Sequence, residues 1–177
     1  MSLRELLSQK KGAILRRWLD LIAGTHPAGG SPLTQEKDEF KNPEGHTVSQ
    51  TVDALYDELL QDRMNPDKVC GSLDGVLKIK AVQDISAGQA VSFVFLLKEA
   101  ITEELADEIE RQQLLRQWLE FESRIDRVAS LAFEIYVQCR EKICQLRVKE
   151  IKADREIAFR LLERVETAGR KRIEDSE

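Results

Sequence analysis

Residues 89–168 contain neither glycine nor proline. Nothing else in the sequence narrows the fold as much, because those two residues are the strongest punctuators of helices and strands. Strand-like alternation is almost absent, and apolar residues recur at spacings of three and four, so the stretch predicts long helix. Near its start lies "AVSFVFLLKEAI", where Ser92 is the only polar side chain in residues 91–97. A membrane span, a pocket wall and an inner core helix would each explain such a run. Lys98 and Glu99 follow directly, and a spanning helix needs roughly 18 consecutive apolar residues, so membrane insertion is excluded. Ser86 has the position of an N-cap, with Gln89 as its capping-box partner and Ile85 able to staple onto Ala90. The helix behind them has one polar stripe, Ser92, Glu99 and Glu103. A helix apolar on most sides is a buried one, so this is the expected central core helix, with residues 93–97 all inside.

The remaining segments carry their own helix signals. Ser2 and Glu5 form a capping box, and Leu7, Ile14, Trp18, Leu21 and Ile22 fall on one face. "GTHPAGGSPLTQEKDEFKNPEG" then connects onward, and Ser31-Pro32 and Asn42-Pro43 are placed to start short helical turns within it. Thr47 with Gln50 is expected to open the next helix, which turns Val48, Val52, Leu55, Tyr56 and Leu59 inward. Asn65-Pro66-Asp67 opens another, with Val69, Leu73, Val76 and Leu77 inward and Gly71 and Gly75 marking a close crossing or a weak point. A break is expected near Asp107, which resembles an N-cap with Glu110 behind it. Trp118, Phe121, Ile125, Val128, Ala132, Ile135 and Cys139 then form an apolar seam.

That seam slips phase between Ile143 and Ile151 and resumes at Ile151, Ala158, Leu161, Val165 and Ala168. As one helix, residues 111–168 would extend about 87 Å, against a radius of gyration of about 16 Å for a compact domain of this size. The tail must protrude, bend back or pack on another chain. The five resumed positions are the expected homodimer interface. The division expected is a helical body over residues 1–148 and a charged helical extension over 149–177.

Composition bounds the function. The net charge is −5, without the basic footprint that nucleic-acid binding usually requires. Cys70, Cys139 and Cys144 are odd in number and lack Cys-x-x-Cys spacing, which argues for buried thiols in a reducing, cytoplasmic setting. The N-terminal stretch is amphipathic and has no apolar run like that of a signal peptide.

Catalytic and metal signatures are missing. His26 and His46 are the only histidines, and neither follows a glutamate at the spacing a di-iron bundle uses. Zinc spacings, phosphate-cradling glycine loops, Gly-x-Ser-x-Gly and calcium loops are absent as well. The acids Glu103, Glu104, Asp107, Glu108 and Glu110 could hold a cation, but read better as a solvated helix start. His46, in "NPEGHT", either bonds the backbone of the preceding loop or closes a ligand pocket. Residues 76–101 mimic a helix-turn-helix, yet the second helix would present Phe93, Val94 and Phe95 where base-reading side chains belong. No acid/base pair or nucleophile constellation is visible, so an enzyme is not expected.

Two stretches together, "FKNPEGHTV" (residues 40–48) and "IKAVQDISAGQAVSFVFLLKEAI" (residues 79–101), resemble the N-terminal sensor domain of RsbRD-type proteins, the RsbT co-antagonist family of stressosome regulators. By helix pattern the resemblance extends over residues 3–24 and 107–148. It implies an all-α, globin-like helical domain without haem and with a long C-terminal helix extending from the body, paired through such helices. His46, Phe93 and Trp18 are then the candidate ligand contacts, with no cofactor and no metal. Two departures count: the chain is expected to stand free of the C-terminal STAS domain of the regulatory members, and "SAGQ" lacks the proline expected near that helix start. The expectation is a cytoplasmic, non-enzymatic sensing or regulatory module that pairs with itself and with an unknown regulatory protein. The alternatives are a small-ligand-binding protein with a pocket in the body, or an accessory to an anaerobic electron-transfer complex, a link the resemblance suggests because free-standing relatives are typical of anaerobic bacteria.

Overall fold

A computed structural model describes the backbone of residues 1–25 and 43–174, and the side chains of residues 1–25 and 45–165. Among these the chain is all-α, with six helices and no strand: α1 (Leu3–Gln9), α2 (Lys11–Gly24), α3 (Pro43–Leu59), α4 (Pro66–Val82), α5 (Ala87–Arg111) and α6 (Leu115–Glu174). His26 and the Ser31-Pro32 turn lie outside the described residues. Among the described residues, no helix is long and apolar enough to cross a membrane. By contacts the chain divides into two units, Met1–Cys139 and Arg140–Glu177.

Local chemistry explains most helix starts in the first unit. The Ser2 hydroxyl accepts from the Glu5 N–H while the Glu5 carboxylate accepts from the Ser2 N–H. Ser86 and Gln89 repeat the arrangement at α5. Asn65 caps α4 through Asp67 N–H, with Pro66 in the first turn where a missing donor costs nothing. Capping residues at such positions are typically worth ~1 kcal/mol.

Three boundaries differ from expectation. The first helix breaks at Lys10, which ends α1 and begins α2 without a side-chain cap. Helix α3 begins at Pro43, four residues before Thr47: a proline's fixed φ already suits the first helical turn. Helix α5 runs through Asp107 and ends at Arg111. Gln113 there takes a left-handed φ of 54°, and the N–H groups of Gln113 and Leu114 bond back to Glu110 and Ile109. This is a Schellman stop built on glutamine instead of glycine, closed by the buried Leu114 near Ile109. The acids at 103–110 therefore sit toward the C-terminal end of α5, not at a helix start.

The core forms chiefly where α2 packs on α5 and α3 on α4. The inward residues expected for α3 and α4 are all buried, as are Leu7, Ile14, Trp18 and Ile22; Leu21 is half-buried. Gly75 brings α4 close to α3, since a Cβ there would meet the Thr47 methyl at 3.4 Å, whereas Gly71 has open space beside it. Helix α5 buries Ala90, Val91, Phe93, Val94, Leu97 and Ala100, but Phe95 is 45% exposed and Leu96 is half-buried. It is thus a helix with a broad buried face, not one buried all round. Phe95 lies instead near Lys98, whose Nζ is 6.0 Å from the ring centroid.

Helix α6 buries its first turns against this body. Trp118, Phe121, Ile125, Val128 and Ala132 point inward as the seam predicts. At the next turn Tyr136 is buried and Ile135 is half-buried, and the Tyr136 hydroxyl donates to the Ile85 carbonyl. The Gln117 side chain accepts from Leu3 N–H at 2.8 Å, and Lys98 pairs with Asp126 at 2.7 Å. All three cysteines are free, but only Cys70 and Cys139 are partly covered; Cys144 is exposed. Buried thiols were expected, but none of the three is fully buried, and Cys144 is exposed because burial ends before it is reached.

Candidate functional site

The three candidate ligand contacts occupy two different environments. Trp18, 0% exposed, donates its indole N–H to the Phe93 carbonyl at 2.6 Å, and Phe93 is itself 3% exposed. This pair joins α2 to α5 and fills the core. His46, on the first turns of α3, is half-buried and lines an open groove of about 280 Å³ with Leu15, Leu19, Ser49 and Asp53. Neither Trp18 nor Phe93 lines that groove. Among the described residues, no group of three or more His, Cys, Asp or Glu side chains is arranged to hold a metal ion. From the acidic stretch, Glu103 is drawn to Arg17, whose guanidinium donates to both carboxylate oxygens and holds the carboxyl below its usual range.

The second unit presents a different kind of surface. Every described side chain from Cys144 to Val165 is exposed. Ile151 is 67% and Val165 70% exposed, and Leu161 and Ala158 between them are likewise open; the Ala168 side chain lies outside the described residues. Leu146, Ile157, Phe159 and Leu162 are also exposed, and the sequence seam did not include them. Successive residues turn about 100° on a helix, so Ile157 and Leu162 flank the stripe through Ile151, Ala158, Leu161 and Val165. Phe159 faces away from it.

A third feature was not visible in the sequence. The connection from α3 to α4 and the exposed side of α6 enclose a groove of about 670 Å³. Arg63 lines it from the connection, and Arg124 and Arg127 line it from α6. Sixty residues of chain separate the two sets, and only tertiary contact brings them together. The signal that could have pointed to it is the arginine pair three residues apart on one helical face.

A family model described as the RsbT co-antagonist protein rsbRD N-terminal domain matches residues 12–150. No curated protein and no solved structure matches the chain. The matched span takes in α2 from its second residue, α3 to α5 whole, and α6 to just short of Ile151, where the exposed stripe resumes. A match over most of the chain places it in a family of signalling-related regulatory domains: the chain belongs to the RsbRD N-terminal domain family.

Proposed function

We propose that the protein is a non-enzymatic cytoplasmic signal-sensing module that works as a homodimer through the C-terminal part of α6. The observation that carries this reading is the exposed apolar stripe Ile151, Ala158, Leu161 and Val165. Leaving such side chains in water forgoes roughly 25 cal/mol for each Å² that association would cover. The stripe also has the a/d spacing of a coiled-coil seam. Around it Arg155, Glu156, Glu163 and Arg164 are of mixed sign, so two copies can lie together without like-charge repulsion dominating. The residues 1–148 then form the sensing body and 149–177 the pairing extension. In this arrangement a change in the body alters how the paired helices meet and is read by a further regulatory protein.

Light scattering on the full chain and on a chain truncated after Lys149 tests this. The full chain is expected to be dimeric and the truncated chain a folded monomer with the helix content of its remaining residues intact. Leu161→Glu together with Val165→Glu should likewise give monomer without loss of the body's fold. A monomeric full chain, or a truncated chain that still pairs, would refute the assignment.

A further inference from the structure

We propose that the groove between the α3–α4 connection and α6 binds a small amphipathic anion, a carboxylate or phosphate head on an apolar body. The groove lies wholly within the first unit, Met1–Cys139. Its volume of about 670 Å³ falls within the range of small-molecule sites, which are mostly apolar with a few convergent polar groups. Here Met64, Pro66 and Leu131 supply the apolar wall, and Arg63, Arg124 and Arg127 the polar groups.

The charges are unbalanced within that wall. Among the described residues Asp62 is the one carboxylate lining the groove, and its Oδ1 is already 2.5 Å from Arg4. Nearby acids are engaged elsewhere: Glu58 accepts from Asn65 N–H at 2.5 Å, and Asp126 pairs with Lys98. Arg124 is fixed in place, because its guanidinium donates to the Gln61 carbonyl. Burial pushes its affinity for a proton below the ordinary arginine value, and the charges of Arg4 and Arg127 push it the same way, with Asp62 and Glu58 opposing. A part-buried cation among like charges is an unfavourable arrangement that an anion relieves. Guanidinium is also the group whose planar fork matches carboxylate and phosphate oxygens. Arg127 donates its Nε to the Ser123 carbonyl at 3.3 Å and is exposed, as is Arg63; both can turn a fork toward a ligand held over Arg124. A wall that is apolar and cationic at once excludes neither half of such a molecule.

The test is calorimetric titration of the full-length protein with phenyl phosphate, 4-phenylbutyrate, inorganic phosphate and 4-phenylbutanol. At least one of the two aromatic anions is expected to bind saturably, one per chain, and more weakly as salt is raised; which one binds identifies the head group. Inorganic phosphate and the uncharged alcohol should bind at least about tenfold more weakly. Arg63→Gln with Arg127→Gln, both exposed positions outside the core, should weaken the anion about tenfold or more while circular dichroism stays unchanged. Arg116→Gln, an exposed arginine paired with Glu120 at 3.4 Å, should leave binding as it was. Absence of saturable binding by both aromatic anions, equal affinity for the alcohol, or indifference to the double substitution would overturn the proposal. So would an acidic peptide that binds where neither small anion does.

Discussion

Leu97 and Phe95 lie two residues apart on α5 and should respond very differently to truncation. Leu97 is 0% exposed, within the face that meets α2, whereas Phe95 is 45% exposed. Leu97→Ala removes a fully packed side chain and leaves a cavity, at a cost of about 3–4 kcal/mol. For a chain of this size each kcal/mol lowers the melting temperature by roughly 2–4 °C, so a fall of about 6–16 °C is expected. Phe95 keeps about half its ring from water, which is worth roughly 1 kcal/mol of transfer energy. Alanine returns a few tenths through its higher helix propensity. Phe95→Ala should therefore cost less than about 1 kcal/mol, a fall of no more than roughly 4 °C. The assay is thermal unfolding followed by tryptophan fluorescence. Both tryptophans, Trp18 and Trp118, are buried in the first unit, so the signal reports that unit alone. Equal losses for the two variants would mean that the Phe95 face is covered in solution. A loss below about 1 kcal/mol for Leu97→Ala would refute the packing of α5 itself.

Gln113→Gly should stabilise the first unit by about 0.5–1 kcal/mol: a left-handed L-residue costs roughly 1–2 kcal/mol, and glycine's added freedom in the unfolded chain returns part of that. A lowered melting temperature would show that Gln113 does not hold the φ of 54°. Burial pushes the Tyr56 phenol well above its ordinary value of 10.0, while the unfolded chain titrates near that value. The neutral form is therefore favoured by folding, and its contribution is present below about pH 10 and lost as pH rises further. Tyr56→Phe should flatten the decline of stability above pH 10 relative to the parent protein. It should also cost about 1 kcal/mol at neutral pH, by removing the 3.0 Å bond to the Leu7 carbonyl. Urea titrations at pH 8 and pH 11 check both, and identical slopes for the two proteins would refute the assignment.

Helix content, inward faces and family membership were written in local patterns. Ser2 with Glu5 and Ser86 with Gln89 specify helix starts because a cap satisfies donors only three residues away. Val48, Val52, Leu55, Tyr56 and Leu59 specify an inward face because side chains three and four apart share one side of a helix. The stop at Gln113 was not legible, since nothing in a glutamine announces the left-handed conformation that the packing of Leu114 imposes. Nor was the exposure of Phe95, whose side chain is as apolar as that of Leu97; which of two apolar residues is covered depends on where α2 crosses α5. The arginine groove belongs to the same class. Arg63 and Arg124 are ordinary surface cations in the sequence, and they become one site only because the α3–α4 connection comes to rest against α6. Periodicity acts over one helical turn and can be read from the chain; a site is a coincidence of distant segments, and tertiary packing alone brings them together.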